Sequence, residues 1–312
     1  MRTLRGQHRD ALGIDIRKSA FTDRVGSIVD RHFVDECMAG VSAVLHTATL
    51  HKPHVATHTR QDFIDTNISG TLNLLEAAVR SGVGAFIFTS TTSTFGDALR
   101  PPPDQPAAWI TESVIPVVKN IYGASKTAAE DLCRLFHRNQ GLPCLVLRTS
   151  RFFPEPDDDP GRRCEHDDSA LKVSELLYRR VDIEDVVSAH LLAVERAATI
   201  GYDTFIISAT TPFTPSDLTE LRGNAAAVVA RHVPEYQDLF AARGWRMLDA
   251  IDRVYVNARA RERLGWQPRH DFASAIEKLS RGCDYRSELA RQVGAKGYHD
   301  IGYRAGIFPV GC

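Results

Sequence analysis

The stretch Asn120–Cys133 reads N-I-Y-G-A-S-K-T-A-A-E-D-L-C. It predicts a helix running to about Arg138, on which Tyr122 and Lys126, four residues apart, share a face. A phenol ionises near pH 10 in water, too high for a base at neutral pH. An ammonium one turn away favours the phenolate and brings that ionisation toward pH 7. A solvated Tyr and Lys on an exposed helix is the plain alternative, so the surrounding chain has to decide.

Working outward, the helix is flanked by two apolar strands, Ala85–Thr89 (A-F-I-F-T) and Leu142–Arg148 (L-P-C-L-V-L-R). Before them come strand Ala11–Ile16, a short helix Phe33–Met38 and strand Ser42–Thr47. A long helix Gln61–Ser81 follows, with Phe63, Ile68, Leu72, Leu75 and Ala78 near one face. Strands alternating with helices predict an α/β fold, a doubly wound (Rossmann-like) parallel sheet with its ligand beyond the carboxyl ends of the strands. The segments 98–112 and 153–169, rich in Pro, Asp and Arg, read as loops. Further on, helix 182–197 starts at Asp182, strand 204–208 follows, and Pro215–Arg222 opens as a capped helix after Thr214. Helix Asn257–Leu264 closes at Gly265, helix Asp271–Arg281 comes next, and the tail from Gly282 is left unassigned. Residues 1–150 are expected to form a dinucleotide-binding domain. Residues 151–312 form a smaller, irregular substrate lobe whose helix 182–197 and strand 204–208 return to the sheet.

The 312 residues are 43% hydrophobic and 25% charged with net charge −1. That balance suits a globular protein and gives no electrostatic reason to expect nucleic acid. No apolar run is long enough for a membrane span, and Met1–Ile14 lacks the apolar core of a secretory signal. Cys37, Cys133, Cys144, Cys164, Cys283 and Cys312 form no C-x-x-C pair and read as reduced thiols of a cytoplasmic protein. His51, His54 and His58 have a spacing that invites zinc. Pro53 interrupts the first two, and no Cys or acid completes the set, so no metal is expected. The loop is read as lying over the cofactor cleft, with Lys52 near phosphate and His51 or His54 against substrate.

The order of these elements and their residues resembles the extended short-chain dehydrogenase/reductase family, in its NAD-dependent epimerase/dehydratase branch, over roughly Ala11 to Leu279. The resemblance implies that Asp15, at the end of the second family strand, holds the adenosine ribose and favours NAD over NADP, a preference Arg17 weakens. Ser27 and Ile28 stand where adenine is met. Thr47, Ala48 and Thr49, in H-T-A-T-L, lie along the dinucleotide, and Asn67 in T-N-I-S-G-T shapes the active site. Thr89 belongs to the Ser/Thr-rich strand end that closes in Phe95-Gly96. Counting back from there puts Thr91 at the catalytic hydroxyl, with Ser90 and Thr92 as register alternatives. Arg148 frames the nicotinamide, and Arg179 and Arg180 lead into a V-D-I-E-D-V helix near the substrate diphosphate. L-G-W-Q-P at Leu264–Pro268 is a structural corner. The implied chemistry has Tyr122 take a proton from a substrate alcohol that Thr91 steers. Lys126 tunes the phenol and binds the nicotinamide ribose. The implied substrate is a nucleotide sugar and the implied assembly a homodimer. A dehydrogenase or reductase of another alcohol is the alternative within enzymes. A catalytically silent binding or regulatory protein is the alternative outside them.

One departure stands out. The family opens with a strand and a glycine-rich turn whose amides hold the pyrophosphate. This sequence has no such motif, since Gly82-Val83-Gly84 precedes a strand instead of opening a helix. The first, central strand is therefore expected to be missing, and NAD is expected to bind weakly or not at all. Calorimetry showing micromolar NAD binding would refute that expectation.

Overall fold

The computed structural model describes residues 1–157 and 159–294. Among them eight strands run in chain order: β1 (Ile14–Asp15), β2 (Arg24–Val25), β3 (Ala43–His46), β4 (Ala85–Thr91), β5 (Ala108–Ile110), β6 (Cys144–Thr149), β7 (Tyr202–Ile207) and β8 (Arg253–Tyr255). The chain divides into two compact units that interleave along the sequence. The first comprises Met1–Ser90, Asn120–Leu147 and His190–Thr204; the second comprises Thr91–Lys119, Arg148–Ala189 and the residues from Phe205 onward.

The first unit carries the layered sheet, ordered β3-β4-β6-β7, with β3 and β4 parallel in the register Ala43↔Ala85 to His46↔Phe88. All six residues of β6 are buried, as are five of the seven in β4, which is what a strand covered on both faces requires. The Tyr122 helix, Ile121–Gln140, starts where the Asn120 side chain accepts the Gly123 N–H at 3.0 Å and stops at left-handed Gly141. It buries Tyr122, Lys126, Ala129, Cys133 and Phe136, a stripe at helical spacing that Tyr122 and Lys126 themselves head. The long helix expected over 61–81 is three pieces: Arg60–Phe63, a π turn Ile64–Ser69 and Gly70–Arg80. Gly70 lets Ile28 approach closely there, since a Cβ would stand 2.6 Å from its side chain and force it to shift.

β1 is far shorter than the expected Ala11–Ile16 strand. Among the described residues it pairs, in parallel, only with β2, and these two strands form a sheet of their own. Ile14, beside Asp15, and Val44 of β3 pack against one core with Val34, Leu75 and Phe86, yet among the described residues no ladder joins the two sheets. A doubly wound sheet would set its first strand between β1 and β3. Ile16 and Val25, at the ends of these short strands, are 67% and 54% accessible.

The second unit has its own core, with Leu171, Val173, Leu177, Val228, Val254, Phe272 and Ile276 at its centre. It corrects both loop expectations. Segment 98–112 contains β5, which pairs in parallel with β8. Segment 153–169 contains helix Pro160–Glu165, capped by Asp159, and the start of helix Asp168–Glu175, capped by Asp167. The expected helix over 257–264 ends in a π turn, Ala260–Leu264, closed by left-handed Gly265. The tail holds a helix, Glu288–Val293; Cys312 lies outside the described residues. The two late motifs meet. Both Asp185 carboxylate oxygens accept backbone N–H bonds at 2.9 Å, from Arg269 and His270, and Trp266 Nε1 donates to Ser188 Oγ at 3.0 Å.

Gly96 closes the Phe95-Gly96 corner with φ +55°, and a Cβ there would lie 1.9 Å from the Val117 carbonyl oxygen. Gly96→Ala is therefore expected to destabilise the chain by about 2 kcal/mol or more, read as a lowered denaturation midpoint.

Candidate active site

The first unit gathers its polar groups at the carboxyl ends of β3 and β4. Asn67, 1% exposed, sits in the π turn, an irregularity that redirects a side chain without ending the helix. Its Oδ1 accepts from the Leu50 N–H (2.8 Å) and Thr49 Oγ1 (2.9 Å). Its Nδ2 donates to the Leu50 carbonyl (3.1 Å) and to Ser125 Oγ (2.9 Å). A satisfied amide thus joins the segment after β3 to the Tyr122 helix. Ser125 Oγ in turn donates to the Tyr122 carbonyl at 3.0 Å.

Lys126 is 2% exposed. Its Nζ donates to the Thr89 carbonyl at 2.7 Å and lies 3.9 Å from the centre of the Phe88 ring. Burial brings its pKa down to about 7, against the opposing pull of Glu130 and Cys133. The strand end around it is pinned twice more. Thr89 Oγ1 meets His190 Nε2 at 2.7 Å, and Ser90 Oγ donates to Glu130 Oε1 at 2.5 Å. Below it, Thr71 Oγ1 donates to the Asn67 carbonyl at 2.7 Å, so the 2.8 Å contact with His46 Nε2 makes that nitrogen the donor. Burial, followed by the charge of Lys126, holds the His46 pKa at about 3 and so keeps the ring neutral.

The folded chain carries Lys126 at about 7 against 10.5 for the free side chain, so the unfolded chain binds more protons between those values. The burden on stability is full below pH 7 and falls away as pH rises toward 10.5. The denaturation midpoint of Lys126→Met relative to wild type is therefore expected to be more favourable at about pH 6 than at about pH 9.5.

The structure thus brings Tyr122, Lys126, Asn67, Thr49, Thr89 and His51 together. The His51 ring centre is 6.1 Å from that of Tyr122. Thr47 and Ala48 are exposed just beyond β3. Asp15 is exposed at the end of β1 and accepts the Arg17 N–H at 2.9 Å. Ser27 accepts the Val29 N–H, while Ile28 is a core side chain whose carbonyl accepts from Asn73. His54 and His58 stack edge-on at 5.0 Å, and no group of three possible metal ligands occurs among the described residues. Glu130 was readable as the residue one turn after Lys126. His190, about a hundred residues from Thr89, left no local signal.

The remaining site residues belong to the second unit. Thr91 ends β4, and its Oγ1 accepts the Ser93 N–H at 3.1 Å. Arg148, buried, lies 4.9 Å over the Phe95 ring. Arg179 Nη2 reaches Asp157 (2.7 Å) and Glu175 (2.5 Å). Arg180 Nε reaches Glu175 (2.7 Å), and its Nη1 donates to the Phe153 carbonyl (2.9 Å). Arg180 also lines a cleft of about 400 Å³ with Phe152, Phe153, Trp245, His270 and Tyr285.

The profile of the NAD dependent epimerase/dehydratase family matches residues 1–207. The chain belongs to the NAD-dependent epimerase/dehydratase family. Among its relatives, a UDP-glucose 4-epimerase of Rhizobium leguminosarum bv. trifolii is 30% identical over 280 residues, covering 80% of each chain. A dTDP-glucose 4,6-dehydratase of Streptomyces antibioticus is 29% identical over 277 residues, covering 81% of this chain and 73% of the other. The fold matches the UDP-N-acetylglucosamine 4-epimerase of Bacillus cereus with TM-score 0.60 at 18% identity, covering 90% and 93% of the two chains. It matches a short-chain dehydrogenase/reductase superfamily protein of Agrobacterium tumefaciens with bound NAD equally well, TM-score 0.60 at 23% identity over 94% and 92%. Within this epimerase/dehydratase fold the pair Tyr122 and Lys126 is a buried, structured feature, which removes the solvated-helix alternative. No helix among the described residues is long and apolar enough to cross a membrane.

Proposed function

We propose that the chain is a nucleotide-sugar epimerase or dehydratase in which Tyr122 is the base that removes the proton from a sugar hydroxyl. The observation that carries this reading is the burial of Tyr122 and Lys126 on one helical stripe, with the Lys126 ammonium fixed on the Thr89 carbonyl one turn from the phenol. That ammonium would favour the phenolate, and Glu130, one turn further on, favours the charged form of the lysine. Thr91 is assigned the steering hydroxyl from its place at the end of β4. Arg180 is assigned to the substrate diphosphate. Arg179 shares that assignment from the sequence, with its fork held by Asp157 and Glu175.

The residues present fit the nicotinamide end of NAD better than its pyrophosphate. Lys126, Asn67 and Thr89 would hold the nicotinamide ribose side, with Arg148 assigned there too; Thr47–Thr49 and Asp15 would follow the dinucleotide toward its adenosine. Bound NAD would supply the hydride acceptor, and Tyr122 would take the proton of the sugar hydroxyl. NADP is the second choice, because Asp15 would repel a 2′-phosphate. We assign a homodimer and a cytoplasmic setting from the family resemblance alone.

The test incubates the protein with UDP-glucose or dTDP-glucose and millimolar NAD and follows the sugar by proton NMR. Conversion to an epimer or a 4-keto sugar is the expected result. A simple alcohol oxidised in place of the sugar would favour the dehydrogenase reading. No conversion of either, with Tyr122→Phe indistinguishable from wild type, would favour the silent protein.

A further inference from the structure

His51 and His54 hold one another in a reciprocal cap. His51 precedes the short 3-10 turn Lys52–Ala56; its side chain accepts the His54 N–H, and His54 Nδ1 accepts the His51 N–H at 2.8 Å. An imidazole nitrogen that accepts a hydrogen bond carries no proton. Each neutral ring therefore keeps its proton on the other nitrogen, where it can only donate, and protonating either ring would break one bond of the cap. The turn packs against the Tyr122 helix, and the two rings, His51 and Tyr122, meet at 6.1 Å with a 46° tilt.

The groups facing His51 reinforce this. Burial, the Lys126 ammonium from the Tyr122 helix and His54 from its own turn all oppose a charge on the ring and bring its pKa to about 3.

We propose that His51 is a positioning residue of this site: its ring, fixed as a donor by His54, donates to the Tyr122 phenol oxygen and favours the phenolate. This rests on the reading of Tyr122 as base. A hydrogen bond to an ionised acceptor is stronger than one to its neutral form, so losing it should raise the Tyr122 ionisation by about one pH unit, a tenfold change in phenolate at fixed pH.

The phenolate absorbance of the wild type, less that of Tyr122→Phe, reports the Tyr122 titration without any substrate. In His51→Phe the midpoint should rise by about one unit, and in His51→Gln, which keeps a donor, most of the shift should be recovered. Should His51→Phe fail to fold, histidine nitrogen NMR on the wild type supplies the second arm. There His51 should remain a single neutral tautomer from about pH 5.5 to 8. An unmoved Tyr122 midpoint with a raised KM would overturn the proposal and leave His51 a substrate contact. A His51 titrating near its ordinary value would overturn it as well. A wild-type Tyr122 that ionises only near pH 10 would instead sink the reading of Tyr122 as base, and the proposal with it.

Discussion

Tyr122→Phe is expected to lower kcat/KM for a nucleotide sugar by about a thousandfold, the usual worth of a positioned proton acceptor. The substitution removes one oxygen and leaves the ring in the buried stripe of the helix. The bond from Ser125 goes to the Tyr122 carbonyl and survives. The loss of stability should stay at about 1–3 kcal/mol, the cost of a buried donor left without the phenol oxygen, and a cooperative denaturation transition in the variant would show that the rate is lost without loss of structure. A loss below about tenfold would place the proton transfer elsewhere.

Glu175→Ala is expected to carry the largest cost in stability, about 3–5 kcal/mol. Glu175 is 1% exposed, with Arg179 at 2.5 Å, Arg180 at 2.7 Å and Arg151 at 4.0 Å; Asp157 receives Arg151 and Arg179 from the other side. Burial alone would raise its pKa, but the three arginines outweigh burial and hold it far below the carboxylate range. Removing the carboxylate strands buried guanidinium charge, and that loss dominates. The pH dependence has a definite sign. A depressed carboxylate gives stability that is complete above about pH 4.3 and is lost as pH falls. Urea midpoints of the wild type should drop steeply in acid, and those of Glu175→Ala should drop less. A variant within about 1 kcal/mol of wild type at neutral pH would show that the cluster contributes little.

What the sequence made legible follows the range of the interactions involved. Tyr122 and Lys126 could be placed on one face because helical spacing is local, and β4 and β6 because a strand buried on both faces is a continuous apolar run. Asn67 could be singled out by its motif, but not the π turn that aims it or the four bonds it makes. His190, Asp185 with Arg269 and His270, and the arginine cluster depend on side chains brought together from distant parts of the chain. Reading Arg179 and Arg180 as diphosphate contacts could not anticipate Glu175 and Asp157 as their partners. The segment 153–169 misled for a local reason: Asp159-Pro160 is a helix N-cap and first-turn proline, a start signal hidden among residues that also make loops. β1 is short for a topological reason: among the described residues it is paired on one side only, which gives it little to hold it past Asp15.

The proposed lysine-tuned phenol takes the proton of a sugar hydroxyl whose carbon would give its hydride to NAD, and a single rapid-mixing experiment reaches that claim most directly. Protein, millimolar NAD and UDP-glucose or dTDP-glucose are combined, and the absorbance of the reduced nicotinamide is followed through one turnover. The account predicts a transient rise in the wild type that is absent in Tyr122→Phe. A flat trace with both sugars, together with unchanged sugar resonances after prolonged incubation, would contradict it.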